Sequence, residues 1–380
     1  MTTRSLLTRV CVVATVVAGL LIPGLAFAQV TPAQAITPPD DTPRIGVGVT
    51  LYADYTYQMD PQIKDTDGNT VNPNMFNVSR AYINVTGQLN HLVAFRITPD
   101  IVRQDGLVTL TAPNVISNDS LVYRIKYAFM QFNLDDWMTR GSWARFGIQQ
   151  TPYLDFAENI YRYRFQGTTF TEREGFYNSA DGGASFHYNF PSNYGDVHVG
   201  VFNGEGYAKT DPNDQKAIEI RGTVRPFASG APLARGLRLT AFYFGDNYIR
   251  DSERTRLVLS PTYESTYISG AFEYIDAHDQ TSITARDVHA KGWSFWANPK
   301  KPYSNGSSVE ALFRYDHLDP DSAVVDESRP RTIVGLAYWF PHSGSTACTL
   351  MLDYDGQTFH NFAVAQVAQR KWAIHGQVIF

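Results

Sequence analysis

Lys371-Trp372-Ala373-Ile374-His375-Gly376-Gln377-Val378-Ile379-Phe380 ends the chain and decides how the rest is read. Trp372, Ile374, Gly376, Val378 and Phe380 fall on one side of an extended backbone, and Lys371, Ala373, His375 and Gln377 on the other, with Ile379 the exception. Successive side chains of a strand point to opposite faces, so the run predicts a strand with one apolar and one polar face.

The same alternation recurs upstream. Ile45, Val47, Val49, Leu51, Ala53, Tyr55 and Tyr57 alternate with Gly46, Gly48, Thr50, Tyr52, Asp54 and Thr56. Ala81, Ile83, Val85, Gly87 and Leu89 oppose Arg80, Tyr82, Asn84, Thr86 and Gln88, while Tyr123, Ile125, Tyr127 and Phe129 oppose Arg124, Lys126 and Ala128. Ile218, Ile220, Gly222 and Val224 oppose Glu219, Arg221, Thr223 and Arg225, and Val309, Ala311, Phe313 and Tyr315 oppose Glu310, Leu312 and Arg314. About sixteen such segments can be counted, an even number in the range of a single-chain barrel.

The connections sort by length. Those at 87–90, 135–141, 191–195, 226–236, 261–265, 298–306 and 341–345 are compact and carry turn residues. Those at 58–75, 105–120, 151–181 and 275–289 are mostly longer and more polar. A soluble sandwich hides its apolar faces in a core and has no reason to alternate in this way. An up-and-down membrane barrel points the apolar face at lipid and alternates short periplasmic turns with long external loops. The fold class expected is therefore all-β: a transmembrane antiparallel up-and-down β-barrel spanning residues 44–380.

The beginning of the chain agrees with that destination. Arg4 and Arg9 precede an apolar stretch from Val10 to Leu25, and Ala26-Phe27-Ala28 is an A-x-A cleavage pattern, so residues 1–28 read as a secretory signal peptide. Residues 29–43, rich in proline and alanine, read as a periplasmic tether. Cleavage near Ala28 removes Cys11 and leaves Cys348 as the single thiol, so no intramolecular disulfide forms. Subtracting the two signal arginines from 32 basic residues leaves 30 against 37 acidic ones, and this negative balance argues against nucleic acid as a partner. The mean hydropathy of −0.25 and the lack of a later long apolar run exclude helical spans after the signal. Aromatic residues make up 13%, including 22 Tyr and 23 Phe, enough for two interfacial girdles.

Three stretches carry a resemblance. The terminal aromatic Phe380 on an amphipathic last strand resembles the assembly signal of bacterial outer-membrane proteins, which implies the barrel-assembly machinery as a partner and the cell outer membrane of a Gram-negative bacterium, with its lipid and lipopolysaccharide, as the setting. FNVSRAYINVTGQLNHLVAFRITPD (76–100) and GSWARFGIQQTPYLDF (141–156) together resemble the phosphate-selective porin O and P family. That resemblance implies a homotrimer of water-filled barrels, each with a long third loop folded into the pore, and small anionic solutes. The third long connection, 151–181, is the longest here. It carries Asp155, Glu158, Arg162, Arg164, Glu172, Arg173 and Glu174, so its acids at least match its bases.

If apolar positions face lipid, the opposite face carries Arg80, Arg96, Arg124, Lys126, Arg145, Arg221, Arg225, Arg238, Arg254, Arg256 and Arg314 against Asp54, Glu219, Glu273, Glu310 and Asp353. Rings of fixed charge set a channel's ion preference, so an inward excess of bases predicts a weak to moderate anion preference. Arg80, Arg124, Lys126 and Arg145 are the first candidates for the pore wall, followed by Arg96, Arg221, Arg225 and Arg314. Arg162 and Arg164, with Tyr161 and Tyr163, are candidates for the constriction, because two-residue spacing in extended backbone puts both guanidinium groups on one side.

Other chemistry finds little support. Gly183-Ala184-Ser185-Phe186-His187 lacks the final glycine of G-x-S-x-G, leaving a phospholipase-like barrel as an alternative in which Ser185 and His187 share a face. A barrel plugged by its loops, structural or adhesive, is the other alternative. No catalytic residue, cofactor or metal ligand is indicated: the nine histidines show no H-E-x-x-H pattern. Asp65-Thr66-Asp67-Gly68-Asn69 lacks the later spaced acid of a calcium loop and reads as a polar turn.

Overall fold

The computed structural model describes residues 41–103, 108–109, 115–116, 120–342 and 344–380. The segment read from sequence as a signal peptide, most of the segment read as a tether and most of the connection at 104–119 lie outside them. Sixteen antiparallel strands close into one barrel. In chain order they are β1 Arg44–Asp60, β2 Asn74–Gln88, β3 Val93–Arg103, β4 Leu121–Asn133, β5 Trp143–Gln150, β6 Ala180–Asn189, β7 Gly195–Phe202 and β8 Ala217–Val224. They continue as β9 Leu237–Ile249, β10 Ser252–Glu264, β11 Ile268–Asp279, β12 Val288–Pro302, β13 Ser308–Asp319, β14 Arg331–Trp339, β15 Ala347–Gln357 and β16 Gln369–Ile379. Every strand pairs with its sequence neighbour, and β16 pairs back onto β1, so no edge remains unpaired.

The closing seam uses the last residue. Phe380 and Val49 exchange both backbone hydrogen bonds, at 2.8 and 2.9 Å, beyond the ladder that pairs Thr50 with Ile379 and Tyr57 with Trp372. Glycine is required opposite it, since a Cβ on Gly48 would stand 2.8 Å from the Phe380 carbonyl oxygen. Along β16, Ala373, His375 and Gln377 are buried inward while Trp372, Ile374, Val378 and Phe380 are exposed on the outer surface. The same inversion of a soluble protein holds for Glu219 and Arg221 against Ile218 and Ile220.

Two stretches depart from simple alternation. Pro99 has no N–H to give to a ladder. The β3–β4 register slips there, pairing Thr98 with Tyr127 and Pro99 with Ile125, so Lys126 is an extra residue in a bulge. The faces exchange beyond it: Tyr127 and Phe129, expected to face outward, are buried inside, and Met130 and Phe132 are exposed outside. Pro261, expected in a turn, lies inside β10 opposite Leu239. The β10–β11 ladder pairs Leu259 with Tyr274 and resumes only at Thr262 with Ala271, leaving the proline outside it.

Short connections gather at the end that holds both termini and longer ones at the opposite, far end. One pair breaks the rule: β9 and β10 join through 250–251 at the far end, whereas 225–236 is the longer connection at the terminal end. The connection at 151–179 is the third at the far end and contains α1 (Pro152–Ile160) and α2 (Phe170–Arg173).

Candidate pore constriction and vestibule

Residues 151–179 fold into the barrel and dock on one side of its inner wall. Pro152, with its fixed φ, opens α1, and Tyr153, Leu154 and Ile160 form its buried stripe. The Tyr153 hydroxyl donates to Glu273 at 2.5 Å, and its ring stacks on Phe242 at 5.4 Å. Glu273 also accepts the Thr171 N–H at 3.2 Å. Wall arginines donate to loop carbonyls: Arg221 to Pro152 at 3.0 Å, Arg314 to Thr168 at 2.7 Å and Arg256 to Phe176 at 3.2 Å. Farther along, Tyr161, Tyr163 and Phe165 pack with Trp296, Ile333, Trp339 and Met351. The volume left between α1 and β10–β13 is about 20 Å³, space for roughly one water.

The loop's charges are used in this docking. Arg162 and the Tyr163 hydroxyl both donate to Glu310, each at 2.8 Å, and the Arg162 guanidinium lies 4.3 Å over the Trp339 ring. Arg164 turns instead to Glu158, at 2.7 Å, and to Glu172. Burial raises the Glu158 carboxyl above its usual range against the pull of Arg164; at Glu172 burial pushes the same way, but the charge of Arg164 and then its hydrogen bond outweigh it and hold the value at about 2. The expected pair of guanidinium groups on one side does not form, because residues 162–166 are a turn and not extended backbone.

The wall carries more acid than the sequence reading allowed. Arg80 pairs with Asp100 at 2.7 Å, Arg256 with Asp279 at 2.7 Å, Arg314 with Asp316 at 2.7 Å and Arg331 with Asp355 at 2.5 Å, and Arg221 and Arg254 pair with Asp196 and Asp246. The inward excess of bases along the whole wall is therefore not found. Those aspartates lie within the last few residues of their strands or, for Asp196, at the start of β7, beyond the stretches whose alternation was read; Asp100 shares the inward parity of Arg96 and Thr98. Arg314 is 3% exposed, so it anchors the loop and does not line an aqueous passage.

A second group of cations donates no hydrogen bond to a carboxylate among the described residues. Arg96 donates to Thr98 and Asn84 and covers the Tyr127 ring at 4.5 Å. Arg124 donates to the Tyr207 hydroxyl at 2.6 Å, Lys126 to the Tyr82 hydroxyl at 3.0 Å, and Arg225 to the Arg235 carbonyl at 3.2 Å. Arg145 stacks on Trp143 at 3.8 Å and on Phe129 at 4.7 Å, with Asp155 no closer than 3.8 Å.

Below α1, toward the terminal end, opens a cavity of about 880 Å³. Seven arginines line it (Arg44, Arg96, Arg140, Arg145, Arg221, Arg225 and Arg238) against three carboxylates, Asp155, Asp196 and Glu264. Five arginines assigned inward from sequence, Arg96, Arg145, Arg221, Arg225 and Arg238, meet there. Arg44 and Arg140 were missed because they stand at a strand start and in a turn, where alternation assigns no face. Arg80, Arg124, Lys126 and Arg314 do not border this cavity.

Ser185 and His187 each bond elsewhere and not to each other. Ser185 donates to Gln149 at 2.6 Å, while His187 meets the Gly141 carbonyl at 3.2 Å and Asp196 at 3.1 Å. Around Asp65, the backbone N–H groups of Asp67 and Asn69 donate to its carboxylate, as in a polar turn. One cluster was not foreseen: His278, Asp287 and His289 bring a potential ligand atom each within 4.8 Å of one another.

No family model matches the chain, and no curated protein matches it. Solved structures do. In vitro-folded OmpT of Vibrio cholerae, an outer-membrane protein in a trimer form, is similar with a TM-score of 0.55 at 12% identity, over 90% of this chain and 100% of that one. An anion-selective porin from Comamonas acidovorans gives 0.56 at 11%, over 89% and 100%. The outer membrane channel DcaP of Acinetobacter baumannii gives 0.53 at 11%, over 89% and 97%. The fold is that of bacterial outer-membrane porins.

Proposed function

We propose that this chain is a passive outer-membrane channel that passes small hydrophilic solutes with a weak preference for anions, phosphate among them. The vestibule carries the reading: seven arginines against three carboxylates border a space that a solute crosses beside the docked loop. Fixed cations in a low-dielectric wall concentrate anions and repel cations. Among them Arg96 lies over the Tyr127 ring at 4.5 Å and Arg145 over the Trp143 ring at 3.8 Å, contacts that hold a guanidinium without neutralising its charge.

The exposed outer surface supports a membrane setting. Phe272, Phe295, Tyr315 and Trp372 stand on it among Leu, Ile and Val, a surface that water alone does not favour over so wide an area. In the orientation proposed, both termini and the short turns are periplasmic, and 151–179 enters from outside. A homotrimer is proposed because a barrel of similar fold has a trimer form.

Reconstitution in a planar bilayer tests the channel itself. Discrete conductance steps are expected, small for a sixteen-stranded barrel because the docked loop fills much of the lumen. A silent bilayer with properly folded protein would remove the channel and favour the plugged alternative.

A further inference from the structure

The pairing of β11 with β12 sets His278 directly opposite His289 across the ladder, next to the buried pair Ala277 and Ala290. Inward and outward positions alternate, so both imidazoles point away from the lumen at the far rim. Their rings stack with centroids 4.5 Å apart and planes within 8°. Asp287, immediately before β12, brings a carboxylate oxygen to 3.7 Å from His278 Nε2. That is too long for a hydrogen bond, and Nε2 has no other hydrogen-bond partner among the described residues.

Three donors thus converge without satisfying one another. Around a tetrahedral ion with bonds of about 2.0–2.1 Å, donor atoms stand roughly 3.3 Å apart. The 3.7 Å separation is close to that; the stacked rings must turn to aim both nitrogens at one ion, and His289 and Asp287, both exposed, have the room to move toward half-buried His278. Two imidazoles and one carboxylate suit borderline transition-metal ions and not magnesium or calcium, which favour all-oxygen shells. Asp276 and Lys291, paired at 3.7 Å one step along the same outer face, offset each other and leave the site's own charge to the carboxylate.

We propose that His278, Asp287 and His289 bind a divalent transition-metal ion such as Zn²⁺ on the outer face of the far rim. The ion would tie the last residues of β11 to the connection at 280–287 and the first residues of β12. Its remaining coordination positions face outward, open to water or to an anionic group on a neighbouring molecule.

Calorimetric titration of the folded, detergent-solubilised protein with ZnCl₂, and separately with MgCl₂, tests this. A single Zn²⁺ site per chain is expected, with no comparable Mg²⁺ site. The double variant His278→Ala/His289→Ala is expected to weaken Zn²⁺ binding more than roughly tenfold, and Asp287→Asn to weaken it less. Unchanged heat-modifiable mobility on gels shows that the variants are still barrels, as expected of rim positions. Zn²⁺ binding unaltered in the folded double variant, or Mg²⁺ bound as well as Zn²⁺, would overturn the proposal.

Discussion

Arg145 and Arg314 have the same charge and opposite work. Arg145 lies 3.8 Å over Trp143 at the vestibule with no carboxylate in hydrogen-bond contact. Arg314 is closed between Asp316 and the Thr168 carbonyl. Arg145→Gln should therefore reduce anion permeability with little loss of stability, which ion-substitution recordings and thermal melts together would check. Arg314→Gln leaves Asp316 buried without its closest cation, so it should cost about 3–5 kcal/mol, read from the unfolding midpoint. His91 gives a residue-scale pH test outside the membrane. Its ring bridges Asp41 at 2.6 Å and Asp136 at 3.0 Å, and those hydrogen bonds hold its pKa above the ordinary imidazole range. A raised value means that the charged bridge stabilises the fold fully below the unfolded pKa and is lost as pH rises through the folded one. An NMR titration should place His91 higher than a denatured control, and Asp41→Asn should lower it; a midpoint unmoved by that change would contradict the bridge.

At the scale of elements, strands were legible from sequence and the loop's docking was not. Period-two alternation assigns a face without any knowledge of neighbours, which is why β16 and β8 match their expected faces residue by residue. It fails where a backbone constraint breaks the ladder, as Pro99 does in exchanging the faces of β4 beyond Lys126. Pairing partners such as Arg162 with Glu310 are distant in sequence, so only closure of the barrel brings them together. The vestibule was half legible for the same reason: Arg96 and Arg145 follow from alternation, Arg44 and Arg140 do not. Leu352, half exposed on β15 between Leu336 and Ile374, tests the outward assignment. Leu352→Arg should cost about 2–4 kcal/mol in lipid if the position is near the midplane. Urea unfolding in vesicles would check it, and a cost near zero would place that face outside the hydrocarbon. Loop docking has its own test. Glu310→Ala removes the shared acceptor of Arg162 and Tyr163 and should weaken docking by about 1–3 kcal/mol, appearing as added noise in the open-channel current.

On the scale of the whole molecule, acid and base nearly balance around the inner wall, yet they are not mixed evenly. Most wall arginines are paired with aspartates, and the net positive charge collects in one compartment below the docked loop. A chain with formal net charge −5 thus encloses an arginine-rich cavity, and in the channel proposed it is such local lining, not total charge, that sets ion preference. Salt screens such a field over about 10 Å at 0.1 M, so the preference should be modest and should fade at high ionic strength. The most direct test is the zero-current potential of the reconstituted channel across a KCl gradient at low salt. The sign that reports chloride as more permeant than potassium, reduced in Arg96→Gln/Arg145→Gln, is the result predicted; a clearly potassium-favouring potential from the unaltered protein would contradict the account.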